Sequence, residues 1–303
     1  MHFFNNTKWN ILGYRKFAIG LSLAMILATA VSIIAHRGLN LSIDFAGGTT
    51  ILMKFDKPVL DDLPKVREAV EALGYGQPEI KTIGSAENRE IQITVRSQAA
   101  TADLTQKVRN TLATTLSGNE FQVLNTEQVG PKIGGELKRD AIIATILALI
   151  AILFYVGIRF HLPFGVAAVV PLFHDVLITL GIFSLLNLEI SLPFLAAILT
   201  VVGYSLNDTI VIFDRIRENL KGGLKGRSFV DVINGSINQT ISRTIITSLT
   251  TLFVVATLYI LGSNSIKDFA LALLVGVIVG TYSSLFVASP VLIWWHNKWT
   301  ITK

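Results

Sequence analysis

Long apolar runs alternate with short charged intervals along this chain, and one extended polar stretch follows the first run. A membrane-spanning helix needs ~20 predominantly apolar residues. Six segments meet that requirement, at 17–35, 141–158, 164–186, 190–213, 244–261 and 269–295. The first carries Ala28 and Ala30, which resemble an A-x-A cleavage pattern. Its apolar core exceeds the ~7–15 residues of a signal peptide, so an uncleaved anchor is predicted.

Between 36 and 140 the period changes. Strand alternation at 49–55 (TTILMKF) precedes a helical pattern at 62–73, then strands at 78–83 and 90–96. A second helix is predicted at 102–116 and a last strand at 121–129. The order βαββαβ is the split-βαβ, ferredoxin-like arrangement. The expected fold class is therefore a polytopic α-helical membrane protein. Six transmembrane helices carry one α+β ferredoxin-like periplasmic domain between helices 1 and 2. The expected division is 1–35 for the N-terminus and first helix, 36–140 for the outer domain, and 141–303 for helices 2–6, with a cytoplasmic loop at 214–243.

Composition agrees with this pattern. The chain is 51% hydrophobic and 16% charged, with a mean hydropathy of +0.57. A soluble domain carries about a quarter charged residues. No cysteine is present, which excludes disulfides. A net charge of +5 raises nucleic acid as a partner. The basic residues instead flank the spans: Lys8, Arg15 and Lys16; Arg159; Arg215, Arg217, Lys221, Lys225, Arg227 and Arg243; Lys298 and Lys303. The connections on the other side, 187–189 and 262–268, hold only Lys267. The positive-inside rule places the basic side and both termini in the cytoplasm. Trp294, Trp295 and Trp299 suit an interfacial belt among lipids, and no nucleic acid partner is expected.

The outer domain shows no metal-ligand spacing, phosphate loop or nucleophile–base set, and its fold is a scaffold rather than an activity. Contact with a translocating substrate or a partner is the better reading. Glycine pairs frame it: Asp44-Phe45-Ala46-Gly47-Gly48 after the first span, Gly130-Pro131 and Gly134-Gly135 before the second. They suit either hinges or tight turns into the membrane.

Ionisable residues inside the spans are costly and functional by default. The third span contains Pro171, His174 and Asp175, with Asp175 ~18 Å from the basic end. The fourth holds Ser205, Asn207 and Asp208, with Asp208 ~9 Å from that end. Arg243 opens the fifth, where Thr244, Thr247, Ser248 and Thr251 share one face. In the sixth, Gly276, Gly280 and Ser284 form a small-residue seam. Two readings stand: buried structural partners, or a carboxyl at Asp208 that binds and releases a proton. In the second reading Arg243 neutralises the charge and the hydroxyls of Thr247, Ser248 and Thr251 relay protons. A helix shift that alters the Asp208–Arg243 distance alters proton affinity. The segment 221–243 is read as a short helix along the membrane surface, capped by Ser228 and Asp231.

DFAGGT after the first span, VGPKIGGEL before the second, HDVLITLG in the third and VVGYSLNDTIVIFDRIREN in the fourth together resemble the SecF family. SecF is the smaller membrane subunit of the SecDF protein-export complex in the resistance-nodulation-division superfamily. The likeness runs from about Trp9 to Trp295. It implies a bacterial inner-membrane half-transporter paired with SecD. The pair would act after the SecYEG channel and the SecA motor, with YajC as a further candidate subunit, and would use the proton-motive force on unfolded precursors. By the resemblance, the proton-coupling carboxylate falls on Asp208, with Asn207 beside it, and its arginine on Arg243. Asp175 is a candidate partner. The aspartate of DFxGG falls on Asp44, next to the hinge candidates Gly47, Gly48, Gly130 and Pro131. No cofactor is implied beyond the coupling ion, H⁺ or Na⁺. A small-molecule or lipid exporter half of the same superfamily, a non-transporting structural subunit and, more distantly, an intramembrane hydrolase remain as rivals.

Overall fold

The computed structural model describes residues 7–83, 89–96, 101–160, 162–224, 226–262 and 264–300. Lys225 and Lys303 lie outside the described residues, as do the side chains of Lys298 and Trp299.

Among the described residues, six helices are long and apolar enough to cross a membrane. A 3₁₀ turn, Ile11–Tyr14, leads into α1 (Arg15–Ala35). The outer domain then contributes a one-turn helix α2 (Ile43–Ala46), β1 (Gly48–Phe55), α3 (Leu63–Glu71), β2 (Glu79–Ile83), β3 (Glu90–Val95), α4 (Thr101–Thr115) and β4 (Phe121–Val129). Five long helical stretches complete the chain. They are α5 (Pro131–Arg159), α6 (Leu162–Leu185), α7 (Leu192–Lys221), α8 (Phe229–Leu261), and α9 (Asn264–Ser283) continued by a π-helical turn and α10 (Ser289–Thr300).

The sheet has the order β2-β3-β1-β4, and every neighbouring pair is antiparallel, as a split-βαβ domain requires. Strand alternation sends Ile51, Met53, Phe55, Ile91 and Ile93 to one face. There they pack under Val66 and Val70 of α3 and Leu104, Val108 and Leu112 of α4. The opposite face, with Thr50, Leu52 and Gln92, looks onto the membrane helices across a cavity of about 640 Å³.

Within the bundle, α6, α7 and α9 are central, about half buried, whereas only 6% of the α5 window is buried. Small residues permit the close approaches: a Cβ at Gly276 would run into Val201, and one at Gly280 would lie 3.1 Å from the Ser205 Cβ.

Three expectations change. The segment 221–243 is not a separate surface helix. From Phe229 it is the first part of α8, continuous with the fifth span and opened by the Ser228–Asp231 capping box. Its apolar stripe, Ile233, Ile237 and Ile241, packs against Ile212, Phe213 and Ile216 of α7 instead of lipid. That is possible because α7 itself continues two turns past the span expected to end at 213. The domain boundary expected at 140 falls inside α5, which begins at Pro131.

Candidate functional site

The α7 helix starts with Ser191 as N-cap and Pro193 in its first turn, then runs unbroken through Asp208. Asp208 is 2% exposed, and its Oδ2 has no hydrogen-bond partner among the described residues. The hydroxyls of Thr209 and Thr244 are buried and unpartnered in the same way. Arg243 of α8 acts on Asp208 electrostatically, yet no ion pair joins them among the described residues. Asn207 and Arg243 line a crevice of about 600 Å³ that also takes in Arg159, Asp214, Arg217 and Thr240. Arg159 of α5 binds Asp214 of α7 at 3.0 Å at its mouth. The crevice thus enters from the basic end and reaches the residue next to Asp208.

The three hydroxyls expected to form a relay differ from one another. Thr247 donates to the carbonyls of Arg243 and Thr244, both at 3.0 Å, and Thr251 to that of Thr247 at 3.0 Å. These are back-bonds within α8. Ser248 alone of the three joins another helix, meeting Thr281 of α9 at 2.7 Å and accepting from Tyr204 of α7 at 3.4 Å.

Asp175 has no exposed surface. Its carboxylate accepts from Ser205 Oγ of α7 at 2.6 Å and from Ser283 Oγ of α9 at 2.8 Å, and meets His174 Nδ1 at 2.8 Å. The structure therefore separates two carboxyl centres that share α7. Sequence reasoning missed Ser283 and Ser22 as members of the second. No spacing along the chain signals them, because they lie on α1 and α9 and only packing brings them to Asp175.

At the outer junction, Asp44 Oδ2 accepts from the backbone N–H of Leu192 at 2.9 Å, the first residue of α7. A carboxylate at a helix N-terminus satisfies an orphan donor and complements the helix dipole. Gly47 (φ +74°) and Gly48 (φ +142°) occupy backbone that L residues rarely adopt. A Cβ at Gly47 would lie 3.1 Å from the Pro131 Cα, and one at Gly134 3.1 Å from the Gly47 nitrogen. The two glycine motifs thus pack on each other. Gly130, at φ −66°, needs no glycine, and Pro131 is the first residue of α5, where no N–H is required.

An ion cluster that the sequence did not reveal fastens the outer domain beside this junction. Lys81 of β2 binds Glu79 at 2.8 Å and Glu189 of the α6–α7 connection at 3.2 Å. Arg96 reaches Glu79 at 3.3 Å, the Asn40 side chain at 2.5 Å and the Leu41 carbonyl at 3.1 Å. Burial pushes the Glu189 carboxyl above its usual value, with Glu79 adding to it and Lys81 opposing. For Glu79, burial acts upward but is outweighed by Lys81, Asn40 and Arg96, which leave it lowered.

Residues 107–298 match the family model of the protein export membrane protein SecD/SecF, C-terminal, and residues 32–59 match the SecD/SecF GG motif. The chain is 48% identical over 291 residues to the protein translocase subunit SecF of Desulfurispirillum indicum, covering 94% of this chain and 91% of that one. It is 39% identical to the protein translocase subunit SecDF of Thermus thermophilus, covering 96% of this chain but only 39% of that one. The crystal structure of SecDF from the same organism, a translocon-associated membrane protein, superposes with a TM-score of 0.86 at 38% identity. It is matched over 98% of this chain and 40% of its own length. A structure of SecDF in a super-membrane-facing form gives 0.71.

Proposed function

The chain belongs to the SecD/SecF family of protein export membrane proteins, and we propose that it works as the SecF half of a proton-driven export machine. Its role as a protein translocase subunit follows from that family. The partner is a SecD-type half, since the SecDF of Thermus thermophilus, which joins both names in one polypeptide, is matched over only 39% of its length. The finer reading is that Asp208 takes up and releases the coupling proton. The observation that carries it is the buried, unpartnered Asp208 carboxyl oxygen, next in sequence to Asn207, which lines a crevice together with Arg243.

A carboxylate in such a place is strongly disfavoured unless it is protonated or paired. When ionised, Asp208 draws Arg243 toward it; when protonated, it releases that guanidinium. Each exchange changes how α7 and α8 pack. The α7 helix carries the change outward. Leu192, which Asp44 holds, lies sixteen residues from Asp208 in the sequence, ~24 Å along a helix. Motion of α7 therefore bears on Asp44, and through the Gly47–Pro131 contact on the entry of α5 and the outer domain.

In this reading the basic crevice faces the cytoplasm, both termini lie inside, and the ferredoxin-like domain is periplasmic in the inner membrane. The substrate is an unfolded precursor emerging from SecYEG after SecA has acted. YajC is a further candidate subunit, and the coupling ion is H⁺ rather than Na⁺.

The test uses inverted membrane vesicles holding the translocase and this chain with its SecD partner. A precursor is stalled part-way, ATP is removed, and completion is followed with and without a proton gradient. Completion is expected to need the gradient and to be lost in Asp208→Asn at matched assembly. Equal completion by both proteins would reduce Asp208 to a packing residue. A gradient of Na⁺ that alone drives completion would reassign the ion.

A further inference from the structure

Asp175 is the second carboxylate inside the bundle, and its surroundings differ in kind from those of Asp208. Its Oδ2 accepts from Ser205 at 2.6 Å and from Ser283 at 2.8 Å, the latter shorter than the Ser283 contact with the Gly280 carbonyl at 3.1 Å, and its Oδ1 faces His174 Nδ1 at 2.8 Å. The other ring nitrogen, Nε2, lies 2.9 Å from Ser22 Oγ of α1. Ser22 Oγ is 3.0 Å from the Tyr282 hydroxyl of α9, which donates to the Ala18 carbonyl at 2.6 Å.

The direction of this chain is set from its far end, by counting protons. A carbonyl oxygen only accepts, so the single proton of Tyr282 points to Ala18. The Tyr282 oxygen must then accept from Ser22. With its one proton so directed, Ser22 accepts from His174, and Nε2 carries a hydrogen. A neutral ring protonated on Nε2 has a bare lone pair on Nδ1, which would face a carboxylate lone pair across 2.8 Å. That contact is attractive only with one more proton in it. The tautomer and charge here follow from the network, as ring protons generally must.

We infer that His174 and Asp175 form a second proton-carrying site, separate from Asp208, and that this conformation holds it in the proton-loaded state. The two hydroxyls on Oδ2 keep negative charge on the carboxylate, so the proton resides on Nδ1. The pair is an imidazolium–carboxylate of zero net charge, which suits an apolar bundle without a further counter-ion.

The groups in hydrogen-bond or ring contact with the pair come from three helices. From α1 come Ser22 and the Ala18 carbonyl; from α7, Ser205; from α9, Ser283 and the Tyr282 ring, stacked on the imidazole at 6.0 Å. Among the described residues, Asp175 has no ion-pair partner besides His174. Gly280 lets α9 come close to Ser205, since a Cβ there would lie 3.1 Å from the Ser205 Cβ. When the proton passes from Nδ1 to water, a neutral imidazole and a carboxylate remain, with net charge −1. The Nδ1 donor to Asp175 is then lost, and the charge is uncompensated. The contacts of α1, α7 and α9 must therefore change with it. Ser205 lies one turn from Asp208, so both proton sites act on α7. A π-helical turn, Ser284–Ala288, begins directly after Ser283, the kind of irregularity found where helices change register.

The site's place in an export cycle rests on the proton-driven reading above; its proton count does not. The test is solid-state nitrogen NMR of the full complex with its SecD partner, ¹⁵N-labelled at histidine, in lipid bilayers at neutral pH. The His174 signals are identified by their loss in His174→Gln. Protons are expected on both ring nitrogens of His174, and this is expected to persist in Asp208→Asn. Asp175→Asn is expected to return the ring to a single protonated nitrogen, because an amide N–H can donate to Nδ1. One bare ring nitrogen in the unaltered complex would overturn the inference, whatever the gradient experiment gives. Failure of gradient-driven completion with both nitrogens protonated would overturn the Asp208 reading and leave the dyad's proton in place.

Discussion

Gly47 and Gly130 look alike in the sequence, each part of a glycine motif beside a span, but the backbone separates them. Gly47 sits at φ +74° with the Pro131 backbone 3.1 Å from where a Cβ would be, whereas Gly130 is extended with open space around it. An alanine at 47 meets both the strain of a backbone region (φ +74°, ψ 159°) that is essentially reserved for glycine, ~1–3 kcal/mol, and a neighbour that cannot rotate away. Gly47→Ala is therefore expected to lower the thermal midpoint of the complex in detergent. Gly130→Ala, at an N-cap with open space around it, is expected to change stability by no more than about 0.5 kcal/mol, because the cap preference for glycine offsets the unfolded-state gain. Equal losses at both positions would return the junction to a simple pair of flexible links. At this scale Asp208 was legible because one carboxyl in an apolar run is visible in one dimension. The partners of Asp175 were not, since Ser22, Ser205 and Ser283 come from three helices and only packing unites them.

Among the elements, α8 shows what periodicity leaves undecided. The stripe Val232, Ile233, Ser236, Ile237 marks a buried helical face, but the same stripe serves a helix on lipid and one against protein. The capping box was readable from Ser228 and Asp231 because its residues are local. What covers the stripe depends on α7 continuing to Lys221, which its charged DRIREN segment concealed from a reading based on hydropathy. Single cysteines placed in the otherwise cysteine-free chain test this packing. Positions Ile233 and Ile237 are expected to resist a water-soluble thiol reagent in detergent as well as in bilayers, while Asp231 and Gln239 react in both. Protection that disappears when lipid is replaced would restore the surface helix. The outer end of α7 offers a matching test. Asp44→Ala removes the acceptor of the Leu192 N–H and is expected to cost about 1 kcal/mol in thermal stability; Asp44→Asn is expected to recover much of it.

For the whole molecule, the position of the outer domain involves ionised contacts around Lys81, whose two carboxylate partners act differently. Glu79 lies below its usual value of 4.5. The groups that lower it, Lys81, Asn40 and Arg96, belong to the outer domain, so its contribution, complete above that value and lost as pH falls through the lowered one, stabilises the domain itself. Glu189 lies above 4.5, first because it is buried. Docking favours its protonated form, and that contribution is lost as pH rises through the raised value. At neutral pH Glu79 thus braces Lys81 and Arg96 within the domain, while the buried Glu189 opposes docking despite its contact with Lys81. Glu189→Gln is expected to increase the docked population, whereas Glu79→Gln is expected to lower the thermal stability of the outer domain, on the order of 1 kcal/mol. Spin labels at Thr114 on α4 and Leu186 beside the connection would report the two populations as a distance distribution. A smaller docked population in Glu189→Gln would mean that the contact of Glu189 with Lys81 outweighs its burial. A larger one would show a domain held near balance, which a small movement of α7 at Asp44 can tip.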